Sequence, residues 1–261
     1  MGFVNQNGLR YYHFDSFDDE IVTHAMFTRQ GGTSPKPWES LNMGSVVGDD
    51  KRRVEANRRR AFQALERDPA SMHDVWQVHS ARVARVDVPR APEMIHTQAD
   101  GMLTDQPEVT LFMRFADCVP LLLFDPVKQV VGLIHAGWRG TVKKIATEAV
   151  QEMVTGYGSR PRDIRAGIGP SISAERYEVG DEVVAQVEEA FGSQATRLLP
   201  KQAGRVNFDL WEANRILLAD AGLEQIEIAG VCTASNLEDW YSYRAEEGPT
   251  GRFGVLIGLK A

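Results

Sequence analysis

The chain is poor in the residues that would staple or anchor it. It has two cysteines in 261 residues, Cys118 and Cys232, too few for a disulfide framework. Its longest apolar runs, such as "VPLLLF" and "VVGLI", fall far short of the ~20 residues that a bilayer-spanning helix needs. Basic residues are outnumbered, 29 against 36 acidic, for a net charge of −7, which argues against binding nucleic acid by phosphate neutralisation. The opening "MGFVNQNGLRYYHFD" has no positive segment followed by an apolar one, so no secretory leader is expected. Gln6 stands where a myristoylation signal wants Ser or Thr. No repeat, low-complexity tract or Pro/Ser-rich linker divides the chain, so one domain over residues 1–261 is expected. These absences together predict a cytoplasmic protein that binds neither membrane nor nucleic acid.

What is present is an ordinary globular balance, 43% hydrophobic and 25% charged. Residues 50–67, "DKRRVEANRRRAFQALER", read as a helix with Val54, Ala61, Phe62 and Leu65 on its apolar side. Its basic face is expected to be solvated, given the acidic total. Short β-rich runs follow in "VWQVHSARVARVDV", "TLFMRF", "VPLLLF" and "QVVGLIH". Helical patterns then cover about 140–156, 180–192 and 208–221, with strand-like "IRAGIGP", "IEIAGV" and "RFGVLIGL" between them. Strands clustered first and helices interspersed later imply an α+β, mixed-sheet fold covered by helices. The long glycine-rich polar stretch at 28–50 is expected to be a functional loop.

"CVPLLLFDPVKQVVGLIH" reads as a β-hairpin around Asp125-Pro126-Val127-Lys128. If Asp125 pairs with Lys128, Cys118 falls directly opposite His135 on one face, with Cβ atoms roughly 4.5–5.5 Å apart. Pro120 removes one ladder bond, which places this strand at an edge or beside a bulge.

There are six histidines. His79, Cys118 and His135 each sit at the end of a strand-like segment, and a His₂Cys set suits zinc or copper. Three protein ligands leave one position open, as in catalytic zinc sites. The spacing matches no CxxC or HExxH pattern. After His135, "AGWRG" reads as a strand-to-helix turn, where Arg139 presents a planar fork suited to phosphate. Asp117, beside Cys118, is a candidate proton acceptor or ligand-orienting carboxylate, although alternation points its side chain away from the thiol.

The sequence resembles the YfiH-like family, also called the multicopper polyphenol oxidoreductase or laccase-domain family and the purine nucleoside phosphorylase/adenosine deaminase family. The likeness runs through "TRQGG", "SLNMGSVVGDD", "WQVHS", "ADGMLT", "ADCVPLLL", "HAGWRGT", "GIGPSIS", "YEVG" and "FDLWEANR" to "CTASN", "YSYR" and "TGR", almost the whole chain. It implies one layered α/β/β/α domain and a zinc held by His79, Cys118 and His135. It further implies phosphorolysis of adenosine, inosine, guanosine and methylthioadenosine, with deamination of adenosine. Ser171 departs from the cysteine of many relatives, at a position that is not a ligand in the family pattern.

The expected partners are purine nucleosides and phosphate, on a monomer or small homo-oligomer, with Arg29, Ser40, Asn42 and Arg139 as substrate anchors. A multicopper oxidase needs more histidine ligands than six, so copper chemistry of that kind is not the leading expectation. The alternatives are a Cys–His hydrolase acting on peptidoglycan precursors or peptides, with Cys118 as nucleophile and His135 as base, a laccase-like polyphenol oxidase, and a metal-binding protein without turnover.

Overall fold

A computed structural model describes residues 2–17, 20–202 and 204–260. The strands are β1 (Gly2–Gln6), β2 (Leu9–His13), β3 (Val22–Phe27), β4 (Met72–Asp74), β5 (Val83–Arg85), β6 (Gly101–Thr104) and β7 (Thr110–Phe115). They continue as β8 (Val119–Asp125), β9 (Val130–Ala136), β10 (Arg165–Ile168), β11 (Lys201–Gln202), β12 (Arg205–Val206), β13 (Gln225–Ile228) and β14 (Phe253–Leu259). The helices are α1 (Lys51–Ala64), α2 (Trp138–Val142), α3 (Ile145–Tyr157), α4 (Asp181–Phe191), α5 (Ala195–Leu198) and α6 (Leu210–Asp220).

Twelve strands form two six-stranded sheets, in the orders β1-β2-β3-β14-β7-β4 and β13-β10-β8-β9-β6-β5, while β11 and β12 make a separate ribbon. Side-chain alternation assigns each face. Val255 and Ile257 of β14 and Leu111 and Met113 of β7 point into the core between the sheets, where they meet Leu122, Phe124, Val131 and Leu133. The opposite face of the first sheet packs Phe112 and Leu256 against Ala61 and Phe62 of α1. The outer face of the second sheet packs Leu121, Leu123 and Ile134 against α3 and α6 through Ala149, Met153 and Leu217. The result is the layered α/β/β/α arrangement.

Four local readings are corrected. The central hairpin is shifted two residues from the expected register: Asp125 pairs with Val130, and Pro120, not Cys118, faces His135. The Asp125 side chain accepts the backbone N–H groups of Val127 and Lys128 at 2.8 and 3.0 Å, and Gln129 closes the turn at φ 51°. That chemistry favours a four-residue connection. A two-residue shift preserves parity, so Cys118 and His135 remain on the inter-sheet face. Pro120 also lies in an interior strand, between β10 and β9.

The helix expected over 140–156 breaks at Lys144, which adopts φ 61° and separates α2 from α3. The run at 75–88 forms only β5, and the connection before it is irregular. The N-terminal strands β1 to β3 went without a β reading in the sequence. Their polar and aromatic residues lie on the first sheet, with Tyr11 packed toward α1.

Gly167 sits where Phe14 crosses β10, and a Cβ there would overlap the Phe14 ring. Gly167→Ala is therefore expected to destabilise the fold by roughly 1–3 kcal/mol through overpacking. Calorimetry would show this as a lowered melting temperature, whereas an unchanged Tm would mean that Phe14 relocates freely.

Candidate metal centre

His135 projects from the inter-sheet face near the end of β9, and Cys118 immediately precedes β8. His79 lies in the irregular connection between β4 and β5. The ligand-capable atoms of His79, Cys118 and His135 all lie within 4.8 Å of one another. A tetrahedral ion with Zn–N and Zn–S bonds of 2.0–2.3 Å would draw neighbouring ligand atoms to roughly 3.3–3.8 Å, so the trio fits one ion after small adjustments. The two imidazoles are edge to face at 4.9 Å, and Phe115 covers His135 at 5.4 Å.

Asp100, immediately before β6, organises two of these three residues. Its Oδ1 lies 2.9 Å from His135 Nδ1. The backbone N–H groups of Val78, His79 and Ser80 donate to the same carboxylate, as does the Ser80 hydroxyl. Three successive N–H groups converge on one anion because His79 takes the left-handed conformation, φ 58°. The Asp100 carbonyl also accepts the His135 backbone N–H at 2.7 Å. With Nδ1 directed at the carboxylate, His135 keeps Nε2 for a metal, an arrangement that fixes ring orientation.

The electrostatics follow from burial and pairing. Burial raises the Cys118 thiol, but the opposing His135 charge and the hydrogen bonds from His135 and His79 outweigh it and bring the thiol to about 6. Burial lowers His135, yet the Cys118 thiolate and Asp100 prevail and lift it to about 9. Burial would raise Asp100, but His135 and the Ser80 donors hold it at about 2. The metal-free trio is thus a thiolate–imidazolium pair near neutrality.

Backbone shape completes the pocket. A Cβ on Gly137 would stand 2.9 Å from Cys118 Sγ and 3.1 Å from a His79 ring carbon, so residue 137 has to be glycine for the ligands to converge. Asp117 takes φ 86° and turns away from the thiol. Its Oδ1 accepts the Thr233 hydroxyl and its Oδ2 accepts the Arg244 N–H, each at 2.7 Å. It therefore ties the 233–244 segment beside Cys118, and the structure does not aim it at a ligand.

Arg139 lies in the five-residue helix α2, exposed, with its guanidinium over the Trp138 ring at 4.9 Å. The three loop anchors are occupied within the protein. Arg29 donates to the Glu39, Leu237 and Trp240 carbonyls and pairs with Glu246. The Ser40 hydroxyl donates to the Arg29 carbonyl and accepts the Gly32 N–H. Buried Asn42 bonds Gly44, Asp49 and the Arg252 N–H. Loop 28–50 is thus pinned internally, and it reaches the site by holding Arg252 in place.

Asp100 is the functional residue that sequence reasoning missed. The only signal was a carboxylate directly before a strand in "ADGMLT", and no spacing rule connects it to His79 or His135. Cys232 stands outside the trio, with its sulfur accepting the Ser173 N–H at 3.4 Å.

A family model described as multi-copper polyphenol oxidoreductase laccase matches residues 23–260. The chain is 41% identical over 251 residues to a Bacillus subtilis protein named purine nucleoside phosphorylase YlmD, covering 93% of this chain and 90% of that one. It is 40% identical over 238 residues to a Deinococcus radiodurans purine nucleoside phosphorylase, covering 91% and 89%. Among solved structures it resembles YlmD from Geobacillus stearothermophilus, with TM-score 0.91, 32% identity and 99% of both chains covered. It also resembles the Bacillus licheniformis hypothetical protein YfiH, with TM-score 0.88, 34% identity and coverage of 97% and 100%.

Two outcomes are expected. Between pH about 6 and about 9 the thiolate is already formed and His135 still carries its second proton. Zinc uptake in that window should release about one proton per ion, and affinity should rise with pH. Calorimetry in buffers of different ionisation enthalpy measures this, and zero release would mean that His135 is neutral in the metal-free site. Asp100→Asn should weaken zinc binding roughly 10- to 100-fold in a chelator competition, while undiminished affinity would deny Asp100 its orienting role.

Proposed function

The chain belongs to the multi-copper polyphenol oxidoreductase laccase family, and within it we propose a metal-dependent purine nucleoside phosphorylase that also deaminates adenosine. The observation that carries the reading is a single His₂Cys cluster in a chain that closely follows relatives named purine nucleoside phosphorylase. The proposed substrates are adenosine, inosine, guanosine and methylthioadenosine, with phosphate. His79, Cys118 and His135 are the proposed ligands of zinc, with copper as the other ion that this donor set accepts.

An ion held there would supply Lewis acidity and water activation. The chain's own part is to orient. Asp100 fixes the tautomer of His135 and the backbone of His79, and Gly137 lets the thiol approach both rings. In phosphorolysis, a phosphate oxygen bonds to the ribose C1′ while the N-glycosidic bond breaks and the purine leaves with its electron pair and gains a proton. In deamination, water adds at C6 of adenosine and ammonia departs. Only the first reaction needs an anion site.

The histidine inventory argues against four coppers. His13 and His24 lie together on the first sheet, 6.1 Å apart. His96 sits 3.2 Å from Asp74, and His73 is hydrogen-bonded to the Val88 carbonyl. Only two of the six histidines join the cysteine.

A second reading has one observation in its favour. The thiolate–imidazolium pair of Cys118 and His135 is also what a cysteine nucleophile requires. The same atoms cannot bind an ion and serve as a free dyad, so metal content separates the two readings.

The test is incubation of metal-quantified protein with adenosine, with and without phosphate. Adenine should form only with phosphate, whereas inosine should form in both. Cys118→Ala should lose the ion and at least roughly 100-fold in both reactions. Activity that survives complete metal removal but not alkylation of Cys118 would favour the hydrolase reading.

A further inference from the structure

Three arginines stand around the metal centre without an acidic partner. Arg139, Arg244 and Arg252 form no ion pair among the described residues, although acidic side chains outnumber basic ones, 36 to 29. Elsewhere the chain's arginines commonly meet carboxylates, as Arg90 and Arg114 do at Asp74. Guanidinium groups without a carboxylate partner leave their charge open to an anion of high charge density.

Arg244 and Arg139 are tied to the site by contacts already described. The backbone of Arg244 is held by Asp117, the neighbour of Cys118. Its guanidinium lies over the Tyr177 ring at 5.0 Å and donates from one terminal nitrogen to the Glu178 carbonyl at 2.9 Å. That fixes the plane of the fork and leaves the edge formed by Nε and the second terminal nitrogen uncommitted. Arg139 follows Gly137 by two residues and rests on Trp138, with no hydrogen-bond partner for its guanidinium among the described residues. Trp138 and Tyr177 both pack against the same hydrophobic core.

The Tyr177 ring lies against the Arg244 guanidinium, and its hydroxyl feels the charges of both arginines. Burial is the main cause that raises its pKa, the Cys118 and Asp117 charges add to it, and Arg244 and Arg139 both pull it down. It therefore stays protonated and available as a donor.

We propose that Arg244, stacked on Tyr177 and tied to the neighbour of Cys118, and Arg139, two residues after Gly137, form the seat for the phosphate co-substrate, with Arg252 adding charge from the loop side. The assignment rests on the phosphorylase reading above for its ligand. A planar fork held flat by stacking suits bidentate contact with an oxyanion. Arg29 offers no such edge, since its guanidinium is spent on three carbonyls and Glu246.

The experiment uses the metal-loaded protein and inorganic phosphate. Phosphate binding is followed directly by ³¹P NMR titration, and the KM values for phosphate and for inosine are measured in phosphorolysis. Arg244→Gln should weaken phosphate binding and raise its KM roughly 10- to 100-fold, with the inosine KM moving far less. Arg244→Lys should recover only part of the loss. Arg139→Gln, at an exposed position that should not disturb folding, should raise the phosphate KM as well. Metal content and melting temperature verify that each variant is folded. Phosphorolysis with an unchanged phosphate KM in both glutamine variants would overturn the seat. Arg244-dependent phosphate binding without phosphorolysis by the unmodified protein would uphold the seat and refute the phosphorylase reading. No phosphate binding and no phosphorolysis by that protein would refute both.

Discussion

The site depends on one buried carboxylate. Asp100 accepts three consecutive backbone N–H groups, a serine hydroxyl and the His135 ring nitrogen. A carboxylate so enclosed would be expensive to bury without those donors. With them it joins the β4–β5 connection, the start of β6 and the end of β9 into one unit. The left-handed backbone of His79 is maintained by the same bonds, which offset its local strain. Remove the charge, and His79 and His135 lose their shared reference point.

Around that unit the fold separates two tasks. The sheets and outer helices supply an apolar sandwich with conventional alternation, whereas the candidate ligands and the cations come from strand ends, the short helix α2 and irregular segments. His79 precedes β5, Cys118 precedes β8, Arg139 follows β9, and Arg244 and Arg252 lie between β13 and β14. A rigid scaffold presenting variable loops at one edge is a common way to place chemistry. The 28–50 loop belongs to the scaffold's side of this division: Asn57 of α1 binds the Ser40 and Asn42 carbonyls, and Asn42 in turn holds the backbone of Arg252.

Much of this architecture was legible in the sequence because its signals are local. Helices at 51–64, 181–191 and 210–220 follow from apolar spacing, and strands at 110–115, 119–125 and 253–259 from β-branched and aromatic runs. The hairpin faces were correct although the register was two residues off. Parity depends only on alternation, whereas register depends on the Asp125 side chain bonding inside the turn. The break at Lys144 was hidden because a lysine at positive φ leaves no trace in periodicity.

The site was legible in part for the same reason. Histidine and cysteine are rare enough to attract notice, while Asp100 is one of many acids and owes its role to neighbours 20 to 35 positions away. Arg29, Ser40 and Asn42 were plausible anchors by composition, but only coordinates show that their polar atoms are already engaged. Arg244 could be singled out only once Asp117, the neighbour of Cys118, was seen to hold its backbone N–H, and Tyr177 only once the Arg244 guanidinium was seen over its ring.

The carboxylate nest bears on which ion such a site would take. Zinc-finger peptides are unfolded without metal, so folding and loading are one event. Here Asp100, Gly137 and the inter-sheet core hold the three donor residues together through contacts of the protein itself. A three-donor site of this kind would rank divalent ions by their intrinsic preference, in which copper stands above zinc. The occupant would then be chosen by supply. Protein produced in copper-rich medium and protein from zinc-replete cells could carry different ions on an identical fold, and each preparation would record the metal economy of the compartment that made it.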